Sequence, residues 1–299
     1  MAGAGEKGTV GIVGLGIMGG AIAGNLLGAG WRVIGFDTDA ERRGAAERAG
    51  AVTVSRASEV AEKAPIILTS LPHADALRST VQEIAGGKTS KRIVAELSTF
   101  ALDDKTGAEK SLRDAGHVML DCPLSGTGAQ AKTKDLVVYA SGDGASIKAL
   151  MPLFGDFARE AHDLGAFGNG TRMKLVANLL VAIHNVASAE AFALGIKAGL
   201  DPQQIFDLVK RGAGNSRVFE LRGPMIVEGR YDHATMKMSV WQKDMQVIGE
   251  FAAELGCKTP LFDAAKPIYD AALAQGLGAM DTGAVAVVLE GMAGIKRRK

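Results

Sequence analysis

Cysteine is scarce in this sequence. Only Cys122 and Cys257 occur among 299 residues, too few for a disulfide framework and without the paired spacing of a metal site. Such usage fits a reducing compartment. The five histidines, at positions 73, 117, 162, 184 and 233, form no local ligand pattern such as H-x-x-x-H, so no metal is expected. Charge of one sign is lacking as well: the net charge is +1 with both signs scattered, which leaves no electrostatic footprint for nucleic acid. The one basic run, Lys296-Arg297-Arg298-Lys299, reads as a solvated tail. No window reaches the ~18 uninterrupted apolar residues that a membrane span needs. The opening MAGAGEKG lacks the apolar core of a signal peptide. With no internal repeat and no low-complexity segment, the expectation is a cytoplasmic enzyme or binding protein with no membrane or nucleic-acid partner.

What is present is ordinary globular material, 47% hydrophobic and 22% charged, in a chain long enough for two domains. The first half alternates short β-type runs with helical patterns. Thr9–Gly14, Arg32–Phe36 and Pro65–Leu71 read as strands, Met18–Gly30 as a helix, and Arg92–Glu96, His117–Asp121 and Leu136–Ser141 as further strands. Strands separated by helices predict an α/β fold, a Rossmann-type doubly wound parallel sheet over residues 1–166. The texture changes near Gly165. A long helix over about 169–198 carries Leu175, Leu179, Ala182, Val186 and Ala189 at helical spacing, and Pro202–Lys210, Met238–Leu255, Thr259–Ala274 and Thr282–Ala293 continue in helical patterns. Residues 167–299 are therefore expected to form an all-α domain for substrate and oligomerisation, joined through that interdomain helix.

Gly14-Leu15-Gly16-Ile17-Met18-Gly19 is a G-x-G-x-x-G between an expected strand and an expected helix. The motif alone is weak, but in that context each glycine has a task. The first permits a tight turn, the second lets backbone approach a pyrophosphate, and the third allows close helix packing. The helix N-terminus adds free N–H groups and a positive dipole end. Asp37 closes the second strand, where a carboxylate can accept from the adenosine ribose hydroxyls and repel a 2′-phosphate, which favours NAD over NADP. Arg42 and Arg43 are read as the solvated face of the next helix. Leu71-Pro72-His73 and Ser98-Thr99 follow strands and should lie at the ligand-binding edge of the sheet; His73 is read as a helix cap.

Reversible alcohol oxidation needs a group that takes the hydroxyl proton while hydride leaves carbon. Lys174 and Asn178 are four apart on the interdomain helix, hence one turn apart on one face, near where the domains are expected to form a cleft. On spacing alone, an exposed lysine beside a helix-face asparagine is the more economical reading.

Four separated blocks change that balance: VGIVGLGIMGGAIAGNLLGAG (Val10–Gly30), DCPLSGTGAQA (Asp121–Ala131), GNGTRMKLVANLL (Gly168–Leu180) and WQKDM (Trp241–Met245). In this order the chain resembles the β-hydroxyacid dehydrogenase family, which includes 3-hydroxyisobutyrate dehydrogenase-like and tartronate semialdehyde reductase-like enzymes of 6-phosphogluconate dehydrogenase-like architecture. The resemblance implies Lys174 as catalytic acid–base. It implies Ser125, Gly126 and Thr127 as backbone and hydroxyl donors to the substrate carboxylate, and Asn178 as an orienting residue. Lys243 would lie near cofactor and substrate, with Asp244 positioning that segment. Gly14, Gly16, Ile17, Met18, Gly19, Asp37, Leu71, Pro72 and Thr99 would line the cofactor.

Two positions depart from the family pattern. Thr127 stands where the family has a second loop glycine, adding a methyl and a hydroxyl to the pocket, which argues against the smallest acids such as tartronate semialdehyde. Cys122 replaces a common alanine and reads as packed and inert. Within Gly212–Arg222, Ser216, Arg217 and Arg222 are candidates to touch a distal substrate group. The late run Val285, Val287, Val288 and Leu289 carries apolar surface that points to a homodimer or homotetramer. The expected activity is NAD-dependent hydride transfer at the alcohol or aldehyde carbon of a small β-hydroxy acid or semialdehyde. An imine reductase-like enzyme and a non-catalytic dinucleotide-binding sensor are the alternatives; a lysine at position 174 argues against the first, and Lys174, Asn178 and Ser125 together argue against the second.

Overall fold

The computed structural model describes residues 7–296, so the first six residues and Arg297–Lys299 of the basic run lie outside the described residues. The N-terminal part runs β1 (Thr9–Val13), α1 (Ile17–Gly28), β2 (Arg32–Phe36), α2 (Ala40–Arg48), β3 (Val52–Thr53), α3 (Ala57–Lys63), β4 (Ile66–Thr69), α4 (Ala74–Ala85), β5 (Ile93–Glu96), α5 (Leu102–Asp114) and β6 (Val118–Asp121). These six strands form one parallel sheet in the order β3-β2-β1-β4-β5-β6. Alternate strand residues serve opposite faces. Val10, Ile12, Val33, Leu68, Ala95 and Leu120 enter one core, while Ile34, Ile67, Val94 and Met119 enter the other. That division is what makes the strands apolar on both sides, as helices covering both faces require.

The expected strand Leu136–Ser141 does not join this sheet. The chain continues as β7 (Leu124–Ser125), α6 (Gly128–Lys132), β8 (Val137–Ala140), α7 (Gly144–Gly155) and β9 (Glu160–Asp163). Here β8 pairs antiparallel with β7 and parallel with β9 in a separate three-stranded sheet. Gly126, at φ +133°, turns the chain back after β7, and reciprocal backbone bonds between Asp121 and Ser141 (2.9 and 2.8 Å) seat β8 against the end of β6.

From there the chain is helical: α8 (Asn169–Lys197), α9 (Pro202–Val209), α10 (Arg217–Glu228), α11 (Met238–Glu254), α12 (Pro260–Ala274) and α13 (Val285–Met292). The chain divides into two compact units, one ending at Lys174 and the next beginning at Leu175, within α8. In the second unit Leu175, Ala182, Val186, Ala189 and Phe192 of α8 are core residues. Length and composition alone would let α8 cross a membrane; this buried stripe makes it a core helix instead. Val285 and Val288 are buried in the same core and Leu289 packs against it, so most of the late apolar run is satisfied within one chain and loses its weight as an argument for an oligomer.

Candidate active site

The turn from β1 into α1 is built by glycine. Gly14 has φ +92°, and a Cβ there would stand 2.1 Å from the Ser70 carbonyl oxygen; one on Gly19 would stand 1.9 Å from the Gly14 carbonyl oxygen. Gly16 is the N-cap of α1 and offers no side chain to its first turn. An uncapped helix N-terminus therefore opens between β1 and β4, where the strand order reverses, and its bare N–H groups fit the pyrophosphate of a dinucleotide. Ile17 stands beside it, 76% exposed.

Asp37 is buried, and its carboxylate braces this loop. Oδ2 accepts from Leu15 N at 2.8 Å and Oδ1 from Asp39 N at 2.9 Å. Each oxygen keeps a lone pair for a ribose hydroxyl. Arg42 lies on the exposed face expected of it, whereas Arg43 is half-buried. Arg42 folds back to within 3.5 Å of both Asp37 and Asp39, and Arg43 donates to the Asp37 carbonyl at 2.6 Å. At the next strand tips, Leu71 N donates to Ser98 Oγ at 2.8 Å, and Ser98 N donates to Glu96 Oε1 at 2.8 Å. Thr99 follows, half-buried, and Pro72 is exposed. His73 caps α4, its Nδ1 accepting from Ala76 N at 3.1 Å.

The Ser125–Thr127 loop requires Gly126 for its left-handed φ and because a Cβ there would press on Leu136 Cδ2 at 2.6 Å. Ser125 is half-buried at the end of β7. Thr127 departs from the donor role expected of it. Its N–H and its hydroxyl both face Gln130 Oε1, at 3.0 and 3.2 Å, while Gln130 Nε2 holds Asp135 at 3.0 Å. The reason is a capping box: Thr127 opens α6 and Gln130 lies three residues on, a T-x-x-Q signature visible in the sequence and overlooked there. Gly128, next in line, lets Ile17 approach, since a Cβ would stand 2.2 Å from Ile17 Cγ2. The substrate-loop candidate thus rests directly on the dinucleotide loop.

Lys174 is 9% exposed in the second turn of α8. The first turn is anchored by a group that the sequence reading missed. Lys105, fully buried on α5, places Nζ 2.7 Å from Glu96 Oε2 and 2.7 Å from Asp121 Oδ1. Asp121 accepts from Thr171 N at 2.7 Å and Thr171 Oγ1 at 2.8 Å, and Ser141 Oγ accepts from Gly170 N at 2.9 Å. Burial pushes the Glu96 carboxyl above its usual value, against the pull of Lys105. Burial also works against the Lys105 ammonium, but the Glu96 and Asp121 charges outweigh it and hold lysine above its usual value. In sequence, Lys105 follows Asp103-Asp104, and nothing local marks it as buried.

In the second unit Asn178 is 3% exposed and donates Nδ2 to Asp244 Oδ2 at 3.0 Å. Lys243 Nζ lies 3.5 Å from Asp244 Oδ1. The candidates in 212–222 serve structure. Ser216 caps α10 by accepting from Phe219 N at 3.0 Å, exposed Arg217 pairs with Glu220, and Arg222 is buried in an ion pair with Asp281 at 2.9 Å. Cys122 is buried, and that burial raises its thiol well above the ordinary value. Among the described residues no group of three or more His, Cys, Asp or Glu stands together to hold a metal.

Residues 9–167 match the NAD-binding domain of 6-phosphogluconate dehydrogenase, and 168–289 match the family described as NAD-binding of NADP-dependent 3-hydroxyisobutyrate dehydrogenase. The L-threonate dehydrogenase of Escherichia coli K12 is 31% identical over 95% of this chain and 95% of its own length. The 2-(hydroxymethyl)glutarate dehydrogenase of Eubacterium barkeri is 30% identical over 96% of each. The crystal structure of a 3-hydroxyisobutyrate dehydrogenase from Salmonella typhimurium superposes with a TM-score of 0.84 at 29% identity, covering 94% of this chain and 99% of that one. A glycine-built dinucleotide cradle, a buried lysine and asparagine one turn apart, and these relationships over nearly the whole length lead to one conclusion: the chain belongs to the β-hydroxyacid dehydrogenase family.

Proposed function

We propose that the protein is an NAD-dependent dehydrogenase of a small β-hydroxy acid or the corresponding semialdehyde, with Lys174 as acid–base. The observation that carries this reading is the burial of Lys174 and Asn178 on α8, two polar side chains withdrawn from water within the apolar run MKLVANLLVA. An amine and an amide one turn apart and sheltered from bulk water are what proton transfer and substrate orientation call for. A bound nicotinamide supplies the hydride acceptor. Lys174, as the free amine, takes the hydroxyl proton as the alcohol carbon becomes a carbonyl, and returns it in the reverse direction. Asn178, with one N–H committed to Asp244, offers Oδ1 and its second N–H to the substrate. Ser125 and the turn at Gly126 receive the carboxylate. NAD is favoured because the buried Asp37 carboxylate, braced against the glycine-rich loop, would repel a 2′-phosphate held there. Relatives named for L-threonate and 2-(hydroxymethyl)glutarate support an acid larger than tartronate semialdehyde.

The test follows NADH absorbance over a panel of β-hydroxy acids and semialdehydes, with NAD(H) and NADP(H), against Lys174→Met. One acid should turn over with NAD, and the variant should lose roughly 10²- to 10⁴-fold in kcat while still binding NADH. A variant that keeps most of its turnover overturns the assignment of Lys174.

A further inference from the structure

We propose that Lys105 is a positioning residue: through Asp121 and Thr171 it holds the first turn of α8, and with it Lys174, against the strand tips that carry the cofactor-facing loops. This rests on the reading of Lys174 as the acid–base. Each member of the cluster lies at the end of a segment that leads into the site. Glu96 closes β5 two residues before Ser98 and accepts from its N–H, while Ser98 Oγ in turn holds Leu71 N. Asp121 closes β6 four residues before Ser125. Thr171 lies in the first turn of α8, one residue after Gly170 and three before Lys174. A single Nζ, 2.7 Å from each carboxylate, therefore joins the Leu71–Ser98 edge to the helix that bears Lys174.

The helix terminus has nowhere else to go. A Cβ on Gly170 would stand 2.3 Å from the Tyr139 carbonyl oxygen and 2.7 Å from that of Asp121, so α8 begins in direct contact with the strand ends. The early N–H groups of a helix have no intrahelical partner, and a carboxylate there is favoured by the dipole. Asp121 supplies that carboxylate from the end of β6, with the Lys105 ammonium 2.7 Å from its Oδ1. Apolar packing stabilises a fold as well as a buried ion cluster does. What the cluster adds is a fixed direction for each bond, and those directions set where Lys174 emerges.

The test combines Lys105→Met with Glu96→Gln/Lys105→Met, the second leaving one carboxylate so that a folded protein is obtained if the first misfolds. Three quantities are measured: kcat per NADH-binding site, the NADH dissociation constant, and residue-resolved amide exchange. The expected result is a kcat lower by roughly 10- to 100-fold, as misplacement of a reacting group produces, with NADH binding changed by less than about threefold. Exchange at Gly170 and Thr171 should quicken at least ~10-fold, while β1 amides hold their rates. The proposal is overturned if kcat per site stays within twofold of wild type, or if Gly170 and Thr171 exchange no faster than β1. Lys174→Met turnover judges the acid–base reading separately, because the exchange data do not depend on activity.

Discussion

Asn178 Nδ2 donates to Asp244 Oδ2 at 3.0 Å, and since a carboxylate only accepts, this bond fixes which end of the amide turns toward Asp244. Both side chains are buried, so the orientation is held away from competing water. Asp244→Asn would present a second amide, letting Asn178 flip and exchange its oxygen for nitrogen. The expected outcome is a fall of roughly 10- to 100-fold in kcat/KM with NADH binding retained, read by steady-state kinetics and fluorescence titration.

Gly128 and Ile17 join the substrate loop to the dinucleotide loop. Gly128→Ala places a methyl where Ile17 Cγ2 now lies, forcing that exposed side chain to rotate at the mouth of the cofactor cradle. The NADH dissociation constant should rise by about 10-fold, on the order of 1.4 kcal/mol, with little change in melting temperature. Ile17→Ala in the same chain should restore binding; a double variant as weak as Gly128→Ala would refute the contact.

Asp37 both braces the glycine-rich loop and supplies negative charge beside Arg42. Asp37→Ser keeps a short oxygen acceptor but removes the charge, freeing Arg42 to meet a 2′-phosphate. The NADP-to-NAD ratio of kcat/KM should rise by at least about tenfold. An unchanged ratio would show that Asp37 has no part in the preference.

His117 is buried, with Nδ1 accepting from Arg92 N at 3.1 Å. Burial first, and the Arg92 charge second, hold its pKa below the ordinary 6.5. It therefore folds neutral, and the stability this contributes is complete above pH 6.5 and is lost as the pH falls through the lower folded value. His117→Asn, which can still accept from Arg92, should flatten the decline in melting temperature from about pH 7.5 to about 5.5. Parallel curves for the two proteins would refute the linkage.

The two cysteines should react unequally. Cys257 is exposed, whereas Cys122 is buried and its thiol resists ionisation. One equivalent of a thiol reagent is expected to add to the native protein at Cys257, and a second only on unfolding, as mass spectrometry would show.

Much of this was legible from residue pattern. The β1 turn, the alternation of strand and helix, and the spacing of Lys174 and Asn178 all follow from local rules. The elements that escaped notice have local reasons. Val52–Thr53 and Leu124–Ser125 are too short for a period, and Glu160-Ala-His-Asp is too polar to suggest a strand. Helix α10 hides behind Gly212, Gly214 and the internal Pro224. Lys105 escaped for a different reason: its meaning depends on Glu96, Asp121 and Thr171, which come together only through the parallel order of β5 and β6 and the return of α8. Thr127 illustrates the same limit in the other direction, since a partner three residues away claims the donors that family likeness had assigned to substrate.

The Lys105 cluster also constrains how this protein can change over generations. Removing Lys105 leaves two buried carboxylates without their cation, which costs about 3–5 kcal/mol, a large share of the roughly 5–15 kcal/mol that separates a native domain from its unfolded chain. Apolar replacement of the whole set carries no such penalty, yet single substitutions reach it only through destabilised intermediates. Lys105 and at least one of its two carboxylates should therefore pass down a lineage together, even as the surface of α5 around Lys105 drifts freely.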